Sequence, residues 1–411
     1  MLKMIRNKDL YILLLGRLIT NFGDSIYSIA AALLVYEMSG STLYSGITLF
    51  LTSSTAIVQL ILSPILDKIN MKKFLIKSQF IQAVLILPIP LLYYFERLNI
   101  YHIMFIMPIV SLINQLVYPG QISLLPKILS EDELISANSF MTMAYQGSNA
   151  IFDTLSGIMI ASLGYMFAFF ADSLTFVITG FLFCFLSKKI AENNISPKNL
   201  RDSNFIKEHF IQLKEGLGLF KDSKIFALAL GIVFINFSAT SISAVLPAFS
   251  KNKVFYGIML GAMGLGVLAG SLFSGLSFFK KFSLGKLYIF GMELVALSWI
   301  GVSYFQNNQL ASAVLYGFGW FIVGIVNVYA QTMIQITVPK NKLGSAMGTM
   351  IGISTLMAPF GALLGGFLGD FFGSSYTILI ASIIIISVSF YWNFNKSIKN
   401  LPSVNEFNKN F

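Results

Sequence analysis

Residues 10–37 read LYILLLGRLITNFGDSIYSIAAALLVYE. A membrane-spanning helix needs about 20 mostly apolar residues, and this stretch exceeds that with only Arg17, Asp24 and Glu37 charged. The basic residues ahead of it (Lys3, Arg6, Lys8) give it the outline of a secretory signal. A cleavable signal, however, has a short uninterrupted apolar core. Arg17, Asn21 and Asp24 interrupt this one, so a first spanning helix that stays attached is expected. Arg17 and Asp24 are two helical turns apart, on one face, with a rise of about 10.5 Å between them. At that separation a direct pair is not expected without bridging, and Asn21 lies between them on the same face.

Stretches of this kind recur along the chain. Twelve are predicted, at roughly 10–37, 43–66, 75–95, 101–124, 138–162, 164–187, 225–249, 255–278, 286–305, 310–335, 344–369 and 374–394. Tight hairpins are expected at Met38 to Thr42, Gly164-Tyr165, Gln306 to Gln309 and Gly373 to Ser375. Of the 411 residues, 56% are hydrophobic and only 11% charged, against about a quarter charged in soluble chains. The composition excludes a disordered chain, a disulfide scaffold (Cys184 is the one cysteine) and an ordinary cytosolic enzyme. An all-α membrane protein is expected, with its twelve helices in two six-helix bundles.

The net charge of +10 is distributed as orientation charge, not as a nucleic-acid surface. If the N-terminus is inside, 24 of the 28 Lys and Arg residues fall on that side. This bias places both termini in the cytoplasm. The one long polar linker, 188–224, divides the chain into bundles at 1–187 and 225–411. Within it, 205–220 has amphipathic spacing (Phe205, Ile206, Phe210, Ile211, Leu213, Leu217) that suits a helix on the inner membrane surface or a tether between the bundles. The halves read as a weak internal repeat. Leu125-Pro126-Lys127 and Val338-Pro339-Lys340 stand 213 residues apart, and the same offset sets Asp67 against Lys280 and Asp24 beside Asn236.

Ionisable groups inside a bilayer cost about 2.5–3.5 kcal/mol each on insertion scales, so each is a functional candidate. Asp24 and Asp153 both fall about 21–23 Å along helices entered from the cytoplasm, near mid-membrane. Gln146, Asn149 and Asp153 form one polar stripe on the fifth span. The functional reading is a protonatable carboxylate that couples proton flow to substrate movement. The plainer one is a structural carboxylate held by neighbours or by Arg17. Asp172 is read as an interhelical hydrogen-bonding group and Glu293 as a packing contact. Glu37, Asp370 and His102 are read as solvated at outer helix ends. Two histidines and one cysteine do not build a zinc centre. There is no phosphate-binding G-x-x-x-x-G-K-[ST] loop. No cofactor is expected, and an ion gradient must drive any uphill transport.

The stretch Ser63-Pro64-Ile65-Leu66-Asp67-Lys68-Ile69-Asn70-Met71-Lys72-Lys73 resembles the loop between helices two and three of the major facilitator superfamily, Gly-x-x-x-Asp-Arg-x-x-x-Arg/Lys, with Ser63 in place of the glycine and Lys68 in place of the arginine. Asn21-Phe22-Gly23-Asp24, Val35-Tyr36-Glu37-Met38-Ser39-Gly40-Ser41, Tyr118-Pro119-Gly120-Gln121, Leu125-Pro126 to Ala137-Asn138-Ser139, and Ala171-Asp172-Ser173-Leu174-Thr175-Phe176 resemble the bacterial branch of macrolide-efflux proteins and the enterobactin exporter. The fourth span lacks the arginine typical of drug/proton antiporters. Ile151-Phe152-Asp153-Thr154-Leu155-Ser156-Gly157 stands where an exporter Gly-Pro motif is expected.

The resemblance implies alternating access, proton antiport, and a bacterial cytoplasmic-membrane protein acting as a monomer on a small molecule. It implies a gating loop of Asp67, Lys68, Lys72 and Lys73, with Asp67 facing the cytoplasmic start of the eleventh span near Gly344. The candidate proton or charge sites are Asp24, Asp153 and Arg17. The candidate cavity residues are Asn21, Asn114, Gln115, Gln146, Asn149, Asn236, Asn327, Tyr329 and Gln331. Proton-driven export of an amphipathic small molecule is the first reading. Siderophore export is the second, weakened because Arg17 is the one cation available to a polyanion. Import or facilitation is a third, since nothing in the sequence fixes direction. A non-transporting membrane sensor, scaffold or intramembrane enzyme is the rival of another class.

Overall fold

A computed structural model describes residues 7–66, 69–187, 223–276, 282–337 and 352–403. The helices are α1 (Lys8–Ser39), α2 (Thr42–Leu66), α3 (Met71–Ile86), α4 (Pro88–Tyr94), α5 (Ile100–Ile128), α6 (Glu131–Thr142), α7 (Ser148–Cys184), α8 (Ser223–Ser250), α9 (Lys253–Phe273), α10 (Leu284–Tyr304), α11 (Gln309–Thr337), α12 (Ala358–Phe372), α13 (Ser374–Phe394) and α14 (Lys396–Lys399). Among the described residues there is no strand, only an isolated bridge between Ser283 and Ser403. Ten helical segments among these residues are long and apolar enough to cross a membrane.

The helix ends follow from local chemistry. Asn7 caps α1, its side chain accepting from the backbone N–H groups of Asp9 and Leu10, as N-cap asparagines do. Gly40, at φ 64°, ends α1 in the left-handed conformation that glycine adopts without strain. Leu87 separates α3 from α4, with Pro88 unable to continue the backbone ladder. The long run α7 leaves helical geometry at Gly164 (φ 82°, ψ 171°), where the sequence predicts a hairpin. Between α6 and α7, Met143–Gly147 forms a π turn that the hydropathy pattern does not announce.

The chain divides into two compact units, the described parts of Met1–Gly40 with Leu51–Ile206 and of Ser41–Phe50 with Lys207–Phe411. In the first, α1 packs along α7, and α3 packs on α7 and α5. One apolar core joins Leu10, Leu13, Met71, Leu75, Leu124, Leu125, Met141 and Phe183, all buried. In the second, α9 packs on α11, α8 on α12 and α13, and α10 on α13 and α11. Trp299 and Trp392 are fully buried there. The indole N–H of Trp392 donates to the Ala227 carbonyl (2.9 Å) across α13 and α8.

Also in the second unit, Asp370 holds the segment that opens α2. Its carboxylate accepts from the Thr42 backbone N–H (2.6 Å), the Thr42 hydroxyl (2.9 Å) and the Ser41 hydroxyl. Asp370 therefore caps a helix start, where the sequence reading leaves it merely solvated. A carboxylate is favourable there because helix N-termini carry partial positive charge.

Candidate functional site

The polar residues of the first span converge on a cavity of about 280 Å3 in the first unit. Arg17, Asn21, Asp24, Asn114, Gln115 and Asp153, all singled out from the sequence, line it together with Ser25, Tyr27, Ser28, Ser111 and Tyr145. Arg17 is almost wholly buried, its side chain 3% exposed, whereas that of Asp24 is 21% exposed to the cavity.

Arg17 Nη2 lies 3.4 Å from Asp24 Oδ2, so the two form a direct pair. This corrects the expectation that two helical turns are too far without bridging. The axial rise counts backbone alone, and the long Arg17 side chain runs along the helix face toward Asp24 to close the gap. Asn21 supports the pair, its Oδ1 accepting from Arg17 Nε (2.7 Å) and from Nη2. On the other side, Asp24 Oδ1 accepts from Asn114 Nδ2 (2.8 Å). Asn114 Oδ1 in turn accepts from Gln82 Nε2 (2.7 Å), so α1, α5 and α3 are tied by one chain of hydrogen bonds. A buried charge is tolerated when paired and hydrogen-bonded in this way.

The π turn has a specific use. Asn21 Nδ2 donates to the carbonyls of Ala144 (2.8 Å) and Tyr145 (2.7 Å) and to the Ser148 hydroxyl (2.9 Å). π turns recur at functional sites because they break the regular backbone ladder locally. The same turn sets the Tyr145 ring 4.7 Å from the Arg17 guanidinium carbon, and Tyr118, stacked on Tyr145 at 4.3 Å, lies 5.7 Å from it. Aromatic faces attract guanidinium groups, so Arg17 is held on three sides: carboxylate, amide and ring pair. Asp153, facing Ser25, has no cation of its own among the described residues.

The chain matches, over residues 2–410, the family described as transmembrane secretion effector, MFS_3. It belongs to that family of transporters. Two proteins of Bacillus subtilis (strain 168) are similar along most of the chain, both described as uncharacterized MFS-type transporters. YvqJ is 22% identical over 342 residues, covering 80% of this chain and 78% of its own. YfiS is 23% identical over 397 residues, covering 93% and 91%. Among solved structures, the nucleoside transporter NupG superposes with a TM-score of 0.70 at 13% identity, covering 93% of this chain and 98% of that one. A bacterial homolog of the human lysosomal transporter Spinster, inward-facing and occupied, gives 0.73 at 10% identity, covering 93% and 95%. At these identities the structures show the fold alone.

MFS membership makes the chain a multi-pass membrane transporter and not an enzyme, which removes the sensor, scaffold and intramembrane-enzyme readings. The other candidate residues have separate places. In the second unit, Asn236 donates to the Ser354 carbonyl (2.8 Å), the Tyr329 hydroxyl donates to the Ser274 carbonyl (2.9 Å), and Asn327 is exposed. Lys72 donates to the Leu186 carbonyl near the end of α7, and Lys73 is exposed. Asp67, Lys68, the side chains of Gln146, Asn149 and Gln331, the region of Gly344 and the amphipathic 205–220 lie outside the described residues.

Asp172 is not the interhelical hydrogen-bonding group expected. Its side-chain bond is to Thr175 on its own helix (3.4 Å), and its Oδ2 is buried with no partner among the described residues. Across α1 it faces Gly23, where a Cβ would meet the Asp172 carboxylate and Thr175. The absent side chain of Gly23 is what admits it. Glu293 accepts from Ser389 (3.1 Å), the packing contact expected of it. His102 Nδ1 accepts from the Asn99 backbone N–H (3.0 Å) in a capping box on the exposed surface. Tyr118, Tyr145, Ser111 and Gln82 are site residues that the sequence reading did not select. A buried glutamine in an apolar span was a visible signal for Gln82.

Proposed function

We propose that this MFS transporter is a proton-coupled exporter of an amphipathic small molecule, macrolide-like in character. In this reading, six-span units at 1–187 and 225–411, joined by a cytoplasmic linker at 188–224, alternate access to a central site. Both termini are cytoplasmic, and the chain acts as a monomer in a bacterial cytoplasmic membrane. The observation that carries the reading is Asp24, a carboxylate deep in an apolar helix, open to a polar cavity and braced by Arg17 and Asn114. Gain or loss of one proton there rewrites the charge balance of Arg17, Asn21 and Asn114 at once. Asp153, which forms no ion pair among the described residues, is the second proton or ligand-charge group. A cavity of this size lies at the low end of small-molecule sites. It suits the polar end of a ligand whose apolar part lies elsewhere.

Siderophore export is the weaker reading. Arg17, the one cation among the described residues lining the cavity, is already committed to Asp24. In the gating loop, Asp67 and Lys68 are assigned to steady one state of the cycle, with Lys72 and Lys73 completing the network.

The test is export in everted vesicles against a panel of macrolides, dyes and siderophores, with and without an imposed pH gradient. Gradient-driven accumulation of one compound is expected, reduced at least tenfold by Asp24→Asn in protein shown to be folded. Gradient dependence unchanged in both Asp24→Asn and Asp153→Asn would remove these carboxylates from coupling.

A further inference from the structure

The second unit carries a cavity of a different kind, independent of the proposed transport site. It holds about 300 Å3 between α10 and α11, with walls of Phe290, Leu294, Ile322 and Val326. Gly291 opens its floor. A Cβ there would sit 3.0 Å from Val326 Cγ2 and 3.4 Å from Ile322 Cγ2, so a larger residue would close the groove. Phe290 and Leu294 are 58% and 45% exposed and belong to the apolar span Leu284–Tyr304, so the groove opens toward hydrocarbon.

Its chemistry changes at one end. Among the described residues Lys286 is the one ionisable group lining it, and its ammonium has no hydrogen bond or ion pair with any of them. It stands in the first turn of α10, where the helix dipole adds positive potential and a lysine gains nothing from the helix itself. The same end collects more positive charge. The Leu284 backbone N–H donates to the Pro402 carbonyl (3.1 Å), and Gly285 packs against the backbone of Ile398 and Lys399. Exposed Lys396 and Lys399 are thereby brought to the start of α10. An apolar slot beside a membrane span, ending in a lysine without a partner among the described residues, is complementary to one ligand with both parts.

We propose that this groove is a binding site for one anionic phospholipid. Its acyl chain lies against Phe290, Leu294 and Val326, and its phosphate meets Lys286 at the start of α10. Basic pockets between spanning helices are a recognised form of anionic-lipid site. A free phosphate would use only the lysine, and a neutral lipid only the walls.

Native mass spectrometry of the detergent-purified full chain tests it, with phosphatidylglycerol and phosphatidylcholine of matched acyl chains as probes. The wild-type chain should retain one phosphatidylglycerol in preference to phosphatidylcholine, and glycerol phosphate without acyl chains should not compete. Lys286→Gln should reduce that preference about fivefold, the effect of one surface lysine on an anionic headgroup. Leu294→Trp, on a half-exposed wall where the fold tolerates bulk, should lower retention of both lipids by filling the slot. Equal retention of the two lipids by wild type, competition by glycerol phosphate, a dimer occupying the face, or an unchanged preference in Lys286→Gln would each overturn the proposal.

Discussion

In the first unit, α1 meets α7 through an asparagine spanning to a π turn, beside a buried ion pair and two stacked tyrosines. In the second, α8 meets α12 through hydroxyls and bare backbone: Thr240 donates to the Ala358 carbonyl (2.7 Å), Ser241 to the Gly361 carbonyl (2.7 Å), and glycines face the partner helix directly. By the 213-residue offset, α8 is the positional counterpart of α1, yet it carries no ionisable residue after Lys224. One unit carries groups that can change charge; the other presents a close-fitting surface at the helix in the corresponding position. Small residues let helices approach closely in lipid, and hydroxyl-to-carbonyl bonds ask for no proton. The difference teaches that two helical units of one chain can join their helices by different chemistry.

The largest expected effect attacks the charged side of this contrast. Arg17→Met leaves the half-buried Asp24 without its cation. Breaking a buried pair from one side costs about 3–5 kcal/mol, read as a fall in thermal unfolding temperature. Arg17→Met with Asp24→Asn should regain most of that stability while export stays lost. A single variant as stable as wild type would mean the pair does no structural work.

Next comes the close-fitting side. A Cβ at Gly365 would overlap the Ser241 backbone, which cannot rotate away. Gly365→Ala should therefore cost about 2 kcal/mol, in the range for overpacking. At Gly23 the obstructing atoms are the Thr175 hydroxyl and the Asp172 carboxylate, which can swing. Gly23→Ala should cost about half as much. Thermal unfolding of both variants compares them, and the reverse order would break the contrast between backbone and side-chain packing.

The smallest effect sharpens it. Asn236→Ala removes one hydrogen bond to Ser354, worth about 1 kcal/mol, and should leave gradient-driven export unchanged. Loss of export with stability retained would give the second unit a chemical role that its bonding does not suggest.

Much of the candidate site was legible because charge is rare in apolar spans. Arg17, Asn21, Asp24, Asn114, Gln115 and Asp153 stood out by type alone, and all six line one cavity. Tyr118 and Tyr145 did not, because the chain holds 17 tyrosines and 39 phenylalanines. An aromatic in such a background carries no signal until its neighbour is known. The Arg17–Asp24 pair was misjudged because rise per residue describes backbone, not side-chain reach. Asp370 was placed at a helix end correctly but left to solvent, since its partners Ser41 and Thr42 are more than 300 positions away. The helices themselves, with breaks at Gly40, Gly164 and Gly373, followed hydropathy and glycine placement closely. The π turn did not, because nothing in composition marks a local change of hydrogen-bond register.

That turn makes the site a matter of backbone count as well as of residue identity. Five residues, Met143–Gly147, close their ring one position later than an α-helix would. The wide turn takes up one extra residue, and ordinary winding resumes on either side. Deleting Met143 would let the segment relax to that winding, and the regular ladder would reclaim the carbonyls of Ala144 and Tyr145 that now accept from Asn21. Asn21 would lose its anchor with every site side chain still present in the sequence. The availability of two backbone acceptors is thus an inheritable trait of this chain, carried by a count of residues and by none of their names.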